Sequence, residues 1–90
     1  IESRLVYNES KTKANLLASV GPNVAGGVVL SGHTDVVPVE DQDWHSDPFT
    51  VTEKDGKLYG RGTADMKAFV AIALAALPDM TKAALKRPIH

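Results

Sequence analysis

The stretch of sequence that decides the fold is VVLSGHTD, residues 28–35. Its first three residues form a continuous β-branched and aliphatic run that follows two glycines, which is typical of a strand buried on both faces in an α/β sheet. Such a strand would deliver His33 to the carboxyl edge of the sheet, where open α/β sheets form their sites. Because successive side chains of an extended segment point to opposite faces, His33 and Asp35 would share one face.

This pair suits a metal site. A histidine that binds a metal through one ring nitrogen usually donates its other N–H to a carboxylate, so His33 would be the ligand and Asp35 would orient its imidazole. The alternative is a loop histidine beside a turn aspartate, and this spacing is weak evidence by itself. The chain contains no cysteine, so a metal site would use His, Asp and Glu, which suits zinc or another borderline divalent ion.

The composition argues against several function classes. Ten Lys and Arg residues balance eleven Asp and Glu residues without long runs of one sign, so no basic surface for nucleic acid or an anionic membrane is expected. The apolar run at residues 68–77 is too short to span a bilayer. The first residues show no signal-peptide pattern, and we expect a soluble cytoplasmic protein.

Short strands are predicted on both sides of the central stretch. Residues 3–8 and 14–20 are candidate strands bounded by turn-forming residues. Asp55 and Gly56 form a strong turn signal and predict a β-hairpin within residues 50–59.

Residues 36–49, between the central stretch and the predicted hairpin, are expected to form a surface loop. Pro38 has no backbone N–H to donate to a neighbouring strand, so residues 36–39 are not expected to form a central strand. Trp44 and Phe49 are expected to pin the loop to the body of the domain. His45 has no partner at a recognisable spacing, and we assign it to solvent.

A helix is predicted to begin at Met66. Apolar residues recur at three- and four-residue spacing up to residue 77, with alanines filling most of the other positions. The pattern predicts a buried or nearly buried helix that ends before Pro78.

The stretch GRGTADMK, residues 60–67, leads into this helix. Gly60 and Gly62 allow positive φ angles or a close approach of the backbone. Asp65 stands at the helix start, where it could be an N-cap worth about 1 kcal/mol without any metal. Capping and metal binding both remain open for Asp65 on spacing alone.

Taken together, three segments resemble the di-zinc amidohydrolase and metallopeptidase family, which includes aminoacylases, glutamate carboxypeptidases, succinyl-diaminopimelate desuccinylases and acetylornithine deacetylases. The segments are SGHTDVVP at 31–38, WHSDPF at 44–49 and LYGRGTADMK at 58–67, in the family's order and separation. With LKRPIH at 85–90, the form is most similar to that of the acetylornithine deacetylases. The resemblance implies an α/β fold. Residues 1–90 would be the truncated N-terminal portion of a zinc-peptidase-like catalytic domain, whose central mixed β-sheet is flanked by helices, without the lid or dimerisation domain.

The resemblance also implies roles for individual residues. His33 would bind one zinc, Asp35 would be the catalytic-site carboxylate that clamps the imidazole, and Asp65 would bridge two zinc ions. The peptide bond after Asp65 is expected to be cis. Ala68 departs from the family pattern, in which glycine usually follows the lysine, and this affects only local packing at the helix start.

The activity implied by the resemblance is zinc-dependent hydrolysis of the acetyl amide of N-acetylornithine, a step of arginine biosynthesis. Two zinc ions would be bound, and cobalt could substitute. The alternatives are a succinyl-diaminopimelate desuccinylase, another aminoacylase or dipeptidase, or a non-catalytic binding module that keeps the fold. The partner would be a small N-acylated amino acid, with no nucleic acid and no membrane, and the parent enzyme would be a homodimer.

We expect the chain to be a piece of a longer enzyme. It begins with Ile1, and the family's adjacent glutamates, a general base and a zinc ligand, would follow Ile89. Catalytic zinc needs about three protein ligands, so the 90-residue chain alone is expected to be inactive and to bind zinc weakly. Without the later strands and helices that would cover its apolar faces, the chain is expected to self-associate.

Overall fold

A computed structural model describes all 90 residues and contains two strand pairs and one helix. The chain divides into two compact units, one formed by residues 1–30 with 76–90 and the other by residues 31–75. The architecture is a small α/β arrangement, with two separate two-stranded antiparallel sheets in place of the expected central sheet. No helix has the length and hydropathy needed to cross a membrane.

In the first unit, strand β1 (Glu2–Tyr7) pairs antiparallel with β2 (Ala14–Ser19). The turn between them is closed by Asn8, whose side-chain oxygen accepts a hydrogen bond from the backbone N–H of Lys13 at 3.0 Å. Both strands lie within one residue of the bounds that the turn-forming residues predict, so this part of the sequence interpretation is confirmed.

Residues 28–30 run parallel to residues 88–90 in the same unit. Val28 N–H donates to the carbonyl of Pro88 at 3.1 Å, and Leu30 N–H donates to the carbonyl of His90 at 2.7 Å. Ile89 also pairs antiparallel with Val20, so it lies between one antiparallel and one parallel neighbour. These bridges give a local mixed pairing that is too short to be counted as a sheet.

The predicted burial of residues 28–30 is wrong. Val29 is 69% exposed, because the segment has one backbone neighbour and nothing within the unit covers its faces. An uninterrupted aliphatic run indicates that a strand needs cover, but it does not indicate that the cover lies within the same 90 residues.

The second unit contains the predicted hairpin. Strand β3 (Thr52–Lys54) pairs antiparallel with β4 (Lys57–Tyr59). Asp55 and Gly56 take φ angles of 52° and 70° between the strands. Two successive positive φ angles are the mark of a type I′ turn, whose twist matches that of the paired strands, and the hairpin prediction is confirmed.

Helix α1 (Lys67–Lys82) continues past the residue at which the sequence predicts its end. Pro78 lies inside the helix, where it cannot donate to the carbonyl of Leu74. The Leu74 side chain is exposed, so water can reach this turn and solvate the free carbonyl. The Thr81 hydroxyl donates to the Pro78 carbonyl at 2.9 Å, three residues earlier in the last turns of the helix.

The predicted burial of α1 is also wrong, because the helix has no buried residue and Ile72 is 69% exposed. No hydrophobic side chain in the chain is buried, and the exposed set includes Leu5, Leu16, Val28, Phe49, Leu58 and Ile72. Exposed apolar faces of this kind favour association.

We therefore expect the isolated chain to self-associate. In sizing and analytical ultracentrifugation, its mean mass should rise with concentration above the 9.6 kDa of one chain. A monodisperse monomer with a cooperative thermal transition would contradict this expectation.

Asp47 makes the hydrogen bonds of the loop before the hairpin, and of the two aromatic residues expected to pin this loop, Trp44 is half-buried and Phe49 is exposed. Phe49 is 72% exposed, so its predicted pinning role is wrong. The Asp47 carboxylate accepts hydrogen bonds from the Phe49 N–H at 2.9 Å and from the Thr50 hydroxyl at 2.8 Å. These two donors hold the pKa of Asp47 below its ordinary value, the Phe49 amide having the larger effect.

This lowered pKa predicts an acid-sensitive loop. Because the folded-state pKa of Asp47 lies below its unfolded value, its stabilising effect is complete above the unfolded pKa and is lost as the pH falls through the folded one. The Phe49 amide proton should move upfield in NMR spectra across that acidic window. In Asp47→Asn this titration should disappear, and a titration that persists in the variant would contradict the assignment.

Candidate metal centre

The structure brings the three predicted site residues together within residues 31–75. The imidazole of His33 lies between two carboxylates. Its Nε2 is 3.4 Å from Asp65 Oδ1, and its Nδ1 is 3.4 Å from Asp35 Oδ1. The His33 side chain is 48% exposed, whereas those of Asp35 and Asp65 are 94% and 83% exposed, so ligands from solvent can reach all three.

The proton position on His33 follows from its backbone contact. Its Nδ1 lies 2.9 Å from the backbone carbonyl oxygen of Asp35. A carbonyl only accepts hydrogen bonds, so Nδ1 carries the proton and Nε2 of the neutral ring presents a lone pair. The Asp35 backbone, more closely than its carboxylate, therefore fixes the tautomer that metal binding through Nε2 requires.

In the neutral ring, His33 Nε2 and the Asp65 carboxylate are both electron-pair donors, so a cation placed between them could bind both. Their separation of 3.4 Å is longer than the roughly 2.7–2.9 Å of a charge-assisted hydrogen bond. Two tetrahedral zinc ligands, each about 2.0–2.1 Å from the metal, are about 3.4 Å apart. The pair therefore fits two adjacent ligands of one zinc ion.

The donor set is incomplete for a whole site. Asp35 lies at the other ring nitrogen of His33, so it cannot bind the same ion as Nε2, and no group of three His, Asp or Glu residues could hold a metal. Catalytic zinc normally takes three protein ligands and a water. His33 and Asp65 would supply two of those three protein ligands.

Two glycines allow the segments that carry the ligands to approach each other. A Cβ on Gly32 would lie 2.9 Å from the side chain of Val70, so the segment before His33 passes directly against the start of α1. Gly62 is buried with φ at 92°, and its carbonyl accepts from the Lys67 N–H at 2.9 Å. The positive φ expected within residues 60–67 is confirmed at Gly62.

Asp65 enters α1 through a cis peptide bond to Met66, as the resemblance predicts. The N-cap alternative for Asp65 is wrong, because no amide of α1 donates to its carboxylate. Instead the first helical N–H groups use backbone carbonyls, with Phe69 donating to Met66 at 3.0 Å. The Asp65 carboxylate is therefore free to face His33.

The ligand pair lines a cleft of about 380 Å³. Trp44, which the sequence analysis assigns to loop packing, and Arg61, to which it assigns no role, line the same cleft. The guanidinium of Arg61 lies 5.1 Å from the centroid of the Trp44 ring, within reach of a cation–π interaction. The only sequence signal for Arg61 is its place between two glycines. His45 is exposed, in agreement with its assignment to solvent.

The geometry predicts unequal effects for the two aspartates. Asp65→Asn removes one of two ligands and should abolish measurable zinc binding by calorimetry. In Asp35→Asn the backbone carbonyl still holds the His33 ring, so the zinc affinity should fall by only about tenfold, the low end of the range for such supporting groups. An equal loss in both variants would contradict this division of roles.

The sequence model described as peptidase family M20/M25/M40 matches residues 29–90 of this chain. The match covers more than half of the chain and includes His33, Asp35, Asp65 and the whole of α1. The chain therefore belongs to peptidase family M20/M25/M40. Peptidases of this family are generally metal-dependent, in agreement with a donor pair that fits zinc.

Proposed function

We propose that these 90 residues belong to a di-zinc amidohydrolase that hydrolyses the acetyl amide of N-acetylornithine to acetate and ornithine. The observation that carries the metal-dependent part is the placement of His33 Nε2 and Asp65 Oδ1 at the spacing of two zinc ligands. The choice of substrate is supported by the GTADMK and LKRPIH segments, which resemble those of acetylornithine deacetylases.

Each residue has a defined task in this proposal. His33 would bind zinc through Nε2 while its Nδ1–H donates to the Asp35 carbonyl. The Asp35 carboxylate, 3.4 Å from the same nitrogen, makes the ring a stronger ligand through its negative charge. Asp65 has two carboxylate oxygens and can hold two ions. Zinc, when bound, would supply Lewis-acid polarisation of the amide carbonyl and acidify a water molecule.

The donors within residues 1–90 are too few for this reaction. Two zinc ions need more ligands than His33 and Asp65 provide, and no group of three His, Asp or Glu residues could hold a metal ion. We infer that the 90-residue chain binds zinc weakly and does not hydrolyse amides. The remaining ligands and the base would come from other residues of a longer protein.

The substrate is tested on the full-length protein that carries these residues. Loaded with zinc or cobalt, it should hydrolyse N-acetylornithine with a higher kcat/KM than N-succinyl-diaminopimelate. The reverse order would favour a desuccinylase. No metal-dependent hydrolysis of either compound, or of other N-acyl amino acids and dipeptides, would leave a non-catalytic binding module as the better account.

A further inference from the structure

The cleft beside the ligand pair has an apolar wall to which the proposed chemistry gives no role. Val36, Val37 and Trp44 line the same cleft as His33 and Asp65. A cleft with a polar end and an apolar wall suits a ligand whose apolar group lies beside its polar reacting group. Trp44 contributes the largest side chain of this wall, and it is the only tryptophan in the chain.

Arg61 holds the loop that carries this tryptophan. Its Nη2 donates to Gln42 Oε1 and, at 3.4 Å, to the carbonyl of Pro38. The same Gln42 oxygen accepts from Trp44 Nε1 at 3.2 Å, and Gln42 Nε2 donates to the Pro38 carbonyl at 3.0 Å. The Trp44 ring is therefore held through its N–H by Gln42 and through its π face by the guanidinium.

Arg61 is itself fixed by its backbone and by burial. Its N–H donates to the carbonyl of Pro48 at 2.7 Å, and the residue is half-buried between Gly60 and Gly62. Its Nε is buried without an acceptor, which is unfavourable for a charged group. The contacts of Nη2 and the Trp44 ring must therefore hold the guanidinium in this position.

We propose that Trp44 is a specificity-determining wall for the methyl and methylene groups of an N-acylated amino acid, and that Arg61 is the positioning residue that holds its indole. The ligand class rests on the proposed function. The contact between Arg61 and Trp44 does not, because it is made by two side chains of this chain.

Trp44 fluorescence tests the positioning role in the zinc-free chain. Arg61→Ala should raise the acrylamide quenching constant about twofold or more, because the indole loses the cation over its face and Gln42, its hydrogen-bond acceptor, loses the Arg61 donor. Arg61→Lys keeps the positive charge but loses the planar guanidinium, so we expect a quenching constant between those of the unmodified chain and Arg61→Ala. Arg4→Ala, on the exposed strand β1, is the matched control and should equal the unmodified chain.

Far-UV circular dichroism shows whether each variant keeps its secondary structure. If Arg61→Ala unfolds, Arg61→Lys decides the question. Quenching equal to that of the unmodified chain in a folded Arg61 variant would overturn the positioning role.

The subsite is tested with N-acetyl-L-norvaline, which has the methylene stem of ornithine without its amine, against N-acetylglycine. With zinc present, the norvaline compound should protect Trp44 from acrylamide, and N-acetylglycine should protect it less. Arg61→Ala should weaken the protection at least about threefold, since the wall is no longer held. Equal protection by the two compounds, or none, would overturn the subsite.

The two proposals fail in different ways. Absence of zinc binding by the full-length protein in calorimetry would count against the proposed metal chemistry. Acrylamide quenching without zinc would still decide whether Arg61 holds Trp44.

Discussion

His33→Ala is expected to abolish zinc binding, a loss of at least about 100-fold, because supporting groups alone change metal affinity by about 10–100-fold and His33 is proposed as a ligand itself. Its Nε2 is the only basic side-chain nitrogen within ion-pair distance of the Asp65 carboxylate, and without it that carboxylate has no partner for a metal ion. Isothermal titration calorimetry with zinc, repeated with cobalt and its visible absorbance, measures the change.

His45→Ala is the matched control for this variant. His45 is an exposed histidine in the same unit and has no carboxylate within ion-pair distance, so its removal should leave the zinc affinity unchanged. A comparable loss in the two variants would show that zinc binds unspecifically to exposed imidazoles, and the site assignment would then be wrong.

Gly62→Ala is expected to destabilise the unit that carries the ligands. A Cβ at Gly62 would lie 3.1 Å from Lys67 Cδ and 3.2 Å from Val36 Cγ1, and the φ angle of 92° disfavours any side chain. The left-handed backbone costs roughly 1–2 kcal/mol. Crowding adds about 1–3 kcal/mol. Urea denaturation and amide dispersion in NMR spectra measure the loss.

Gly56→Ala is the control that measures the free-energy cost of a positive φ angle without the cost of steric crowding. Gly56 also has a positive φ, 70°, but nothing lies within 4 Å of a Cβ placed there. Only the backbone cost of about 1–2 kcal/mol should remain. If Gly62→Ala costs no more than Gly56→Ala, the close approach of residues 62, 36 and 67 does not position the site as described.

The local features of this fold could be predicted from the sequence because short-range chemistry determines them. Asp55-Gly56 specifies a type I′ turn through φ angles that few other residues adopt. The helical period places α1, although its end is misjudged because alanine-rich flanks tolerate Pro78 where water can reach the free carbonyl.

Burial could not be predicted in the same way, because it depends on which other elements pack against an apolar face, and the hydrophobic pattern does not identify those elements. The aliphatic run at residues 28–30 and the apolar face of α1 both indicate a need for cover, and neither is covered within this chain. Hydrophobic periodicity reports which side of an element is apolar, whereas burial requires a second element at the right distance.

In the candidate site, too, some residues could be predicted from local sequence spacing and others could not. The spacing of His33 and Asp35 and the place of Asp65 before a helix predict residues that the structure brings together. The role of the Asp35 carbonyl and the bridge from Arg61 through Gln42 to Trp44 depend on side-chain directions in a loop, which no periodic pattern encodes.

The most direct test of the central claim is the ¹⁵N NMR spectrum of the His33 imidazole with and without zinc. We expect Nδ1 to carry the proton in the zinc-free neutral ring and the Nε2 resonance to move when zinc is added, with Nδ1–H retained. A proton on Nε2, or an Nε2 resonance that zinc leaves unchanged, would contradict the assignment of His33 as a metal ligand.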